Sequence, residues 1–250
     1  MRELPWLAAD WPVPDGVVAG CTLRAGGVSS GHYASLNLGA HVGDADEAVL
    51  ENRRRFVDIC GLPGEPAWLS QVHGSRLAVD PTPGTMADAV ISGKPDVVCA
   101  VMVADCLPVL VAAVDGSEIA AAHAGWRGLA AGVLENTLSA FHNPPERLLA
   151  WLGPAISQPA FEVGDDVRDA FTADDEAAAA CFEENEAGRW QADLYGLARR
   201  RLSACGIGNV YGGGLCTYGD HARFFSYRRD GQCGRMAALI FRRAGALEKG

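Results

Sequence analysis

Three short stretches of the chain hold residues that could do chemistry. They are Gln71-Val72-His73-Gly74, Asp105-Cys106-Leu107-Pro108 and His123-Ala124-Gly125-Trp126-Arg127-Gly128. Each sits at the end of an apolar run and is broken by glycine or proline. Two imidazoles and a thiol are good ligands for zinc, a borderline-soft ion. Three protein ligands leave a fourth position open, which is the pattern of a catalytic ion rather than a structural one. His73, Cys106 and His123 lie 33 and 17 residues apart (73 to 106, 106 to 123). Such spacing is unlike a local zinc finger, so tertiary folding must assemble any site. The same residues admit a second chemistry. Cys106 paired with a histidine could act as a thiolate nucleophile on acyl or amide groups. Residue type alone leaves the two open.

Other side chains could serve such a site. Asp105 breaks the apolar run VVCAVMVADCLPVLVAAV and is a candidate proton shuttle, although alternation along a strand can turn neighbouring side chains to opposite faces. Arg24 stands in LRAGG, where small residues let a guanidinium reach a ligand. Arg127 precedes a helix expected to begin near Gly128. Helix-start N–H groups and an arginine suit an anion such as phosphate; the ordinary alternative is a pairing with a carboxylate. Asn37, in SLNLG, is a candidate substrate contact or simply the side chain of an Asx turn. His41 is the reserve among the other histidines. Cys21, Cys60 and Cys99 read as packing residues.

The elements that position these residues come next. ADAVIS, DVVCAVMVA, LPVLVAAV and EIAAAHAG read as strands, WLSQVHG as a shorter one, and LLAWLGPAI as a strand entering a Gly-Pro turn. Residues 46–60 have helical spacing, stopped by Gly61-Leu62-Pro63. GLAAGVLENTLSAFH reads as one helix ended by Asn143-Pro144-Pro145, and DLYGLARRRLSAC as another. ADDEAAAACFEENEAG is acidic, helix-prone and expected on the surface. FFSYRRDG and GRMAALIFRR read as a hairpin around Asp230-Gly231. No Pro/Ser-rich linker divides the chain. The expectation is a single α/β domain, 1–250, with a mixed β-sheet core flanked by helices.

Composition narrows the class. At 250 residues and 49% hydrophobic, the chain can bury a full core. A formal charge of -10 without a basic cluster argues against nucleic acid or an anionic membrane as partner. No run reaches the roughly 18 uncharged apolar residues of a membrane span. The N-terminal stretch lacks the apolar segment of a signal peptide. None of the eight cysteines forms a C-x-x-C pair. The expected location is cytoplasmic, with reduced thiols.

Six motifs in order carry a resemblance: TLRAGGVSSGHYASLNLGAHVGD, SQVHG, ADCLPVL, AAHAGWRGLAAGVLENT, WLGPAIS with FEVG, and CTYGDHARFFSYRRDGQCGRMAALI. From about Cys21 to Ile240, the chain resembles the YfiH / laccase-domain family. The resemblance implies an architecture like that of toxin-type cysteine hydrolases, and a metal held by His73, Cys106 and His123. It also implies a choice of activities. The family is described as copper polyphenol oxidases (laccases), and as phosphorylases of adenosine, inosine, guanosine and methylthioadenosine with adenosine deaminase activity. A peptidoglycan-editing role is attached to bacterial members. The chain's six histidines are too few for a laccase's copper cluster. Nucleoside chemistry therefore ranks first, with Cys106, His73, His123, Asp105 and Arg24 as catalytic candidates. Arg24, Asn37 and Arg127 are the candidates for binding substrate or phosphate. The expected cofactor is zinc, with copper as alternative. The expected partners are purine nucleosides and phosphate, for a monomer or homodimer.

Overall fold

The computed structural model describes residues 6–243. In chain order the elements are β1 (Trp6–Ala8), β2 (Val17–Thr22), α1 (Asp46–Cys60), β3 (Leu77–Val79), β4 (Ala89–Ser92), β5 (Val98–Val103), β6 (Leu107–Ala113) and β7 (Ile119–Ala124). They continue with α2 (Trp126–Ala130), α3 (Val133–Leu138), β8 (Leu148–Leu152), β9 (Glu162–Val163), α4 (Asp165–Thr172), β10 (Phe182–Glu184) and β11 (Trp190–Ala192). The last are α5 (Leu194–Ala204), β12 (Asn209–Gly212), α6 (Tyr227–Asp230) and β13 (Met236–Arg242).

The apolar run around Asp105 becomes two strands in two different sheets. β5 edges an antiparallel sheet of order β1-β2-β13-β5, while β6 lies inside a mixed sheet of order β12-β8-β6-β7-β4-β3. A small ribbon, β10-β11-β9, stands apart from both. The sheets stack, and period-two alternation shows how. Cys99, Val101 and Val103 of β5 meet Leu110 and Ala112 of β6 and Ile119 and Ala121 of β7 in one buried cluster between the sheets. The alternate residues of β5, Val98, Ala100 and Met102, pack outward with Phe56 of α1. Those of β6, Leu107, Val109, Val111 and Ala113, pack against α3, α4 and α5 through Leu134, Phe171 and Leu197. The result is helix, sheet, sheet, helix. Both sheets are covered on both faces, which is why their strands read as unbroken apolar runs.

Several local expectations give way. The helix expected over 128–142 is two short helices, because Gly132 adopts a left-handed φ of 87° and breaks the turn between α2 and α3. WLSQVHG is not a strand; it makes only an isolated bridge, Ser70 to Met86, outside the sheets. The hairpin around Asp230 does not form. Ser226 instead caps α6, its side chain accepting from the Arg229 N–H. β13 then runs between β2 and β5 rather than back on FFSY. The acidic stretch 173–188 is a 3-10 turn and a strand. It is not wholly a surface element, since Ala178, Cys181 and Phe182 are buried. Residues 46–60 and 194–204 are helices as read.

Candidate metal centre

Strand register brings the site together. Leu107 pairs with Ala124 and Pro108 with His123, so Cys106, just before β6, faces Gly125, just after β7. On the other side of β7, Ala89 pairs with Ala122, which sets Asp88 beside His123. The His123 N–H donates to the Asp88 carbonyl at 2.7 Å. His73 comes from the loop before β3 and completes the group. One ligand atom each from His73, Cys106 and His123 lie within 4.8 Å of one another. The two imidazoles meet edge to face, centroids 4.8 Å apart. His123 is buried, Cys106 half-buried and His73 exposed, so the group opens to solvent on the His73 side.

Two glycines permit this approach. A Cβ on Gly125 would lie 2.8 Å from Cys106 Sγ and 3.5 Å from His73 Cδ2. One on Gly128 would lie 2.7 Å from the Gly74 carbonyl oxygen. Any side chain at either place would push the loop of His73 off the start of α2.

The electrostatics favour an ionised thiol. Burial pushes the Cys106 thiol up, but the charge of His123, followed by hydrogen bonds from His123 and His73, outweighs it and brings the thiol down to about 6. Burial lowers His123, while the Cys106 charge and the Asp88 hydrogen bond carry it up to about 9. Burial likewise pushes the Asp88 carboxyl up. Hydrogen bonds from His123 and from the Gly74 and Val72 N–H groups prevail and hold it below the usual carboxylate range. A thiolate and two histidine rings, one with Nδ1 on Asp88 and its other nitrogen toward Cys106, form a donor set that suits a borderline-soft ion once the ion displaces the proton between them. These residues therefore fit a metal.

Asp88 is the residue that sequence reasoning missed. It is fully buried, and its Oδ1 lies 2.9 Å from His123 Nδ1. Its signal was an acid at the head of the apolar strand ADAVIS. Gln71 is a second such residue. Its amide donates to the Met102 carbonyl at 2.8 Å and accepts from the Met102 N–H at 2.7 Å, pinning the loop of His73 to β5.

The other candidates stand elsewhere. Asp105 has a left-handed φ of 88°, and its carboxylate accepts from Thr217 Oγ1 at 2.5 Å and from the Arg228 N–H at 2.7 Å. Each carboxylate oxygen thus accepts one hydrogen bond from the 217–228 segment, which turns the Asp105 side chain toward that segment. Asn37 is fully buried. Its Oδ1 accepts from the Gly39 and Arg235 N–H groups, and its Nδ2 donates to Gly39 and Asp44. Asn37 is a turn residue with nothing left for a substrate. Arg24 donates to the carbonyls of Ala34 and His221, stacks on Phe225, and lines an open pocket with His32, His221, Arg229 and Asp230. Arg127 lies exposed in the first turn of α2, its guanidinium 4.4 Å from the Trp126 ring. His41 lines a cavity of about 650 Å³ together with Arg53, Glu65, Trp68, Gln71 and Met102. Burial, then the charges of Arg235, Arg53 and His73, lower its pKa.

A family profile described as multi-copper polyphenol oxidoreductase laccase matches residues 18–243. A protein of Escherichia coli strain K12 named purine nucleoside phosphorylase YfiH is 52% identical over 94% of this chain and 98% of its own length. The chain belongs to the YfiH / laccase-domain family. A crystal structure of a Neisseria meningitidis protein superposes with a TM-score of 0.91 at 51% identity, covering 96% of this chain and all of the other. A crystal structure of YlmD from Geobacillus stearothermophilus gives 0.90 at 31% identity, covering 97% and 98%. No helix among the described residues is long and apolar enough to cross a membrane.

Proposed function

We propose that the chain is a zinc-dependent purine nucleoside phosphorylase, with adenosine deaminase activity at the same site. The observation that carries this reading is the His73, Cys106 and His123 cluster, in a chain whose half-identical relatives bear the phosphorylase name. Phosphorolysis joins a phosphate oxygen to ribose C1′ as the C1′–N9 bond breaks. The bonding pair leaves on the purine, which takes up a proton. The protein's task is to hold two reactants in line and to stabilise charge on the leaving base. Zinc held by the three ligands would supply a Lewis acid. The cavity beside Gln71 seats the nucleoside between apolar walls, with Arg53, Glu65 and His41 as its polar groups. Arg127, exposed just beyond Gly125, holds phosphate; the Arg24 pocket is the second possibility. For deamination, Glu65 takes the proton-carrying role expected of Asp105. Its Oε1 accepts from Trp68 Nε1, and its carboxylate borders the cavity.

Copper oxidation of phenols is the weaker reading. Among the described residues, the triad is the one group of His, Cys, Asp and Glu that could hold a metal, and it contains two of the six histidines. That leaves no ligands for a multi-copper cluster. The test supplies zinc-loaded protein with inosine or adenosine, with and without phosphate. Base release that requires phosphate supports the proposal, and phosphate-independent inosine from adenosine supports deamination. Neither product, or phenol turnover that requires copper and oxygen, would sink it. Arg127→Ala should raise the KM for phosphate about tenfold or more while Arg24→Ala leaves it unchanged; the reverse pattern moves phosphate to the Arg24 pocket.

A further inference from the structure

We infer that Asp88 is the positioning residue of the site: one buried carboxylate orients both histidines toward Cys106. The inference rests on the reading of His73, Cys106 and His123 as a metal-ligand set, and it concerns how that set is held. Four donors converge on the carboxylate. Oδ1 accepts from the His73 N–H at 2.9 Å and lies 2.9 Å from His123 Nδ1. Oδ2 accepts from the Gly74 N–H at 2.8 Å and the Val72 N–H at 3.2 Å. Three successive backbone N–H groups thus form a cup around one anion, a known backbone device for holding negative charge. The acid is fully buried, so water cannot replace it.

Each of these contacts acts on a ligand. His73 has a φ of 59°, a left-handed conformation that strains a non-glycine residue and persists only where the surroundings hold it. That conformation points three consecutive N–H groups at the carboxylate. Without the anion, the exposed loop loses its reason to stay strained, and the His73 ring leaves the group. On His123, the Nδ1 contact fixes the orientation of the ring and, once Nε2 is given to a metal, holds the remaining proton on Nδ1. A single atom, Oδ1, therefore ties together two ligands that lie 50 residues apart (73 to 123). The contact from the Asp88 carbonyl to the His123 N–H adds a fixed β4–β7 register beneath them.

Asn in place of Asp88 keeps the shape but cannot accept on both sides, because its NH2 group faces donors. We expect Asp88→Asn to hold zinc about 10- to 100-fold more weakly than the wild type. With cobalt in place of zinc, its thiolate-to-metal and ligand-field bands should shift and weaken. A merely structural acid would lower the melting temperature of the metal-free protein and leave the cobalt spectrum of the folded fraction unchanged. Zinc affinity within about twofold of wild type, with an unaltered cobalt spectrum, overturns the inference. If the wild type itself holds no metal, the ligand-set reading fails first, and the two failures are told apart. Should Asp88→Asn not fold, nitrogen-15 spectra of the wild-type zinc protein decide. A His123 proton on Nδ1 supports the inference, and one on Nε2 overturns it.

Discussion

Asp88 and Asp105 are both buried acids at the end of an apolar strand, yet they serve different parts of the molecule. Asp105 is the covalent neighbour of Cys106, and its carboxylate turns to Thr217 and Arg228. Asp88 lies 18 residues from Cys106 (88 to 106), and its carboxylate holds His123 and the loop of His73. Asp105 lies in the bend between β5 and β6, where a left-handed φ of 88° accompanies a carboxylate turned to Thr217 and Arg228, whereas Asp88 stands opposite His123 across β4 and β7 and shares its face. Asp105 braces the far side of the turn that presents the thiol. Asp88 braces the site itself.

The comparison can be broken most sharply at the thiol between them. Cys106→Ala should leave the hydrogen bonds of both acids in place and still abolish metal binding, from one zinc per chain to near zero by elemental analysis. Retained zinc would show that the ligands are others. The next effect is on thiol reactivity. In the metal-free protein, alkylation by iodoacetamide should be half-maximal near pH 6 rather than near pH 9, because a depressed folded-state pKa keeps the thiolate until pH falls through it. Asp105→Asn should leave that midpoint in place, since its charge faces away. A midpoint that moves by about a unit would put Asp105 in the site after all.

Stability separates the acids further. Asp105→Ala removes two hydrogen bonds to a carboxylate and should cost about 3 kcal/mol in urea unfolding, with zinc stoichiometry kept. Lost zinc with unchanged stability would reverse the assignment of the two acids. Glu118 offers a third acid as reference, remote from the triad. It accepts from the His142 and Asn143 backbones and faces His142 Nδ1 at 2.7 Å. Burial pushes its carboxyl up, but these hydrogen bonds prevail and hold it below the usual range. Its contribution is therefore present above the unfolded-state pKa and is lost as pH falls through the lower folded value. Glu118→Gln should cost about 1 kcal/mol near pH 7 and nothing at low pH, with zinc binding untouched. A loss that persists at low pH would contradict the assignment.

The triad was legible because each member ends an apolar run beside a glycine or proline, where strand-end chemistry is exposed. The paired strands were legible from their uninterrupted apolar texture, and α1 and α5 from their spacing. Asp88 was not, because its role depends on Ala89 lying opposite Ala122, and no single strand states its partner. For the same reason DVVCAVMVA and LPVLVAAV read as two strands without saying that Val103 and Leu107 belong to different sheets. Asn37 had the right chemistry for a ligand, but Gly39, Asp44 and Arg235 engage its side chain. Local propensity misled at Gly132 and Ser226. One glycine in a left-handed turn splits a helix, and one serine cap replaces a hairpin.

The most direct test follows purine release from inosine by zinc-loaded protein, with and without phosphate, for the wild type and Cys106→Ser. The account predicts hypoxanthine and ribose 1-phosphate only when phosphate is present, and neither from the variant. No release from a wild-type protein carrying one zinc per chain, or undiminished release from Cys106→Ser, would contradict it.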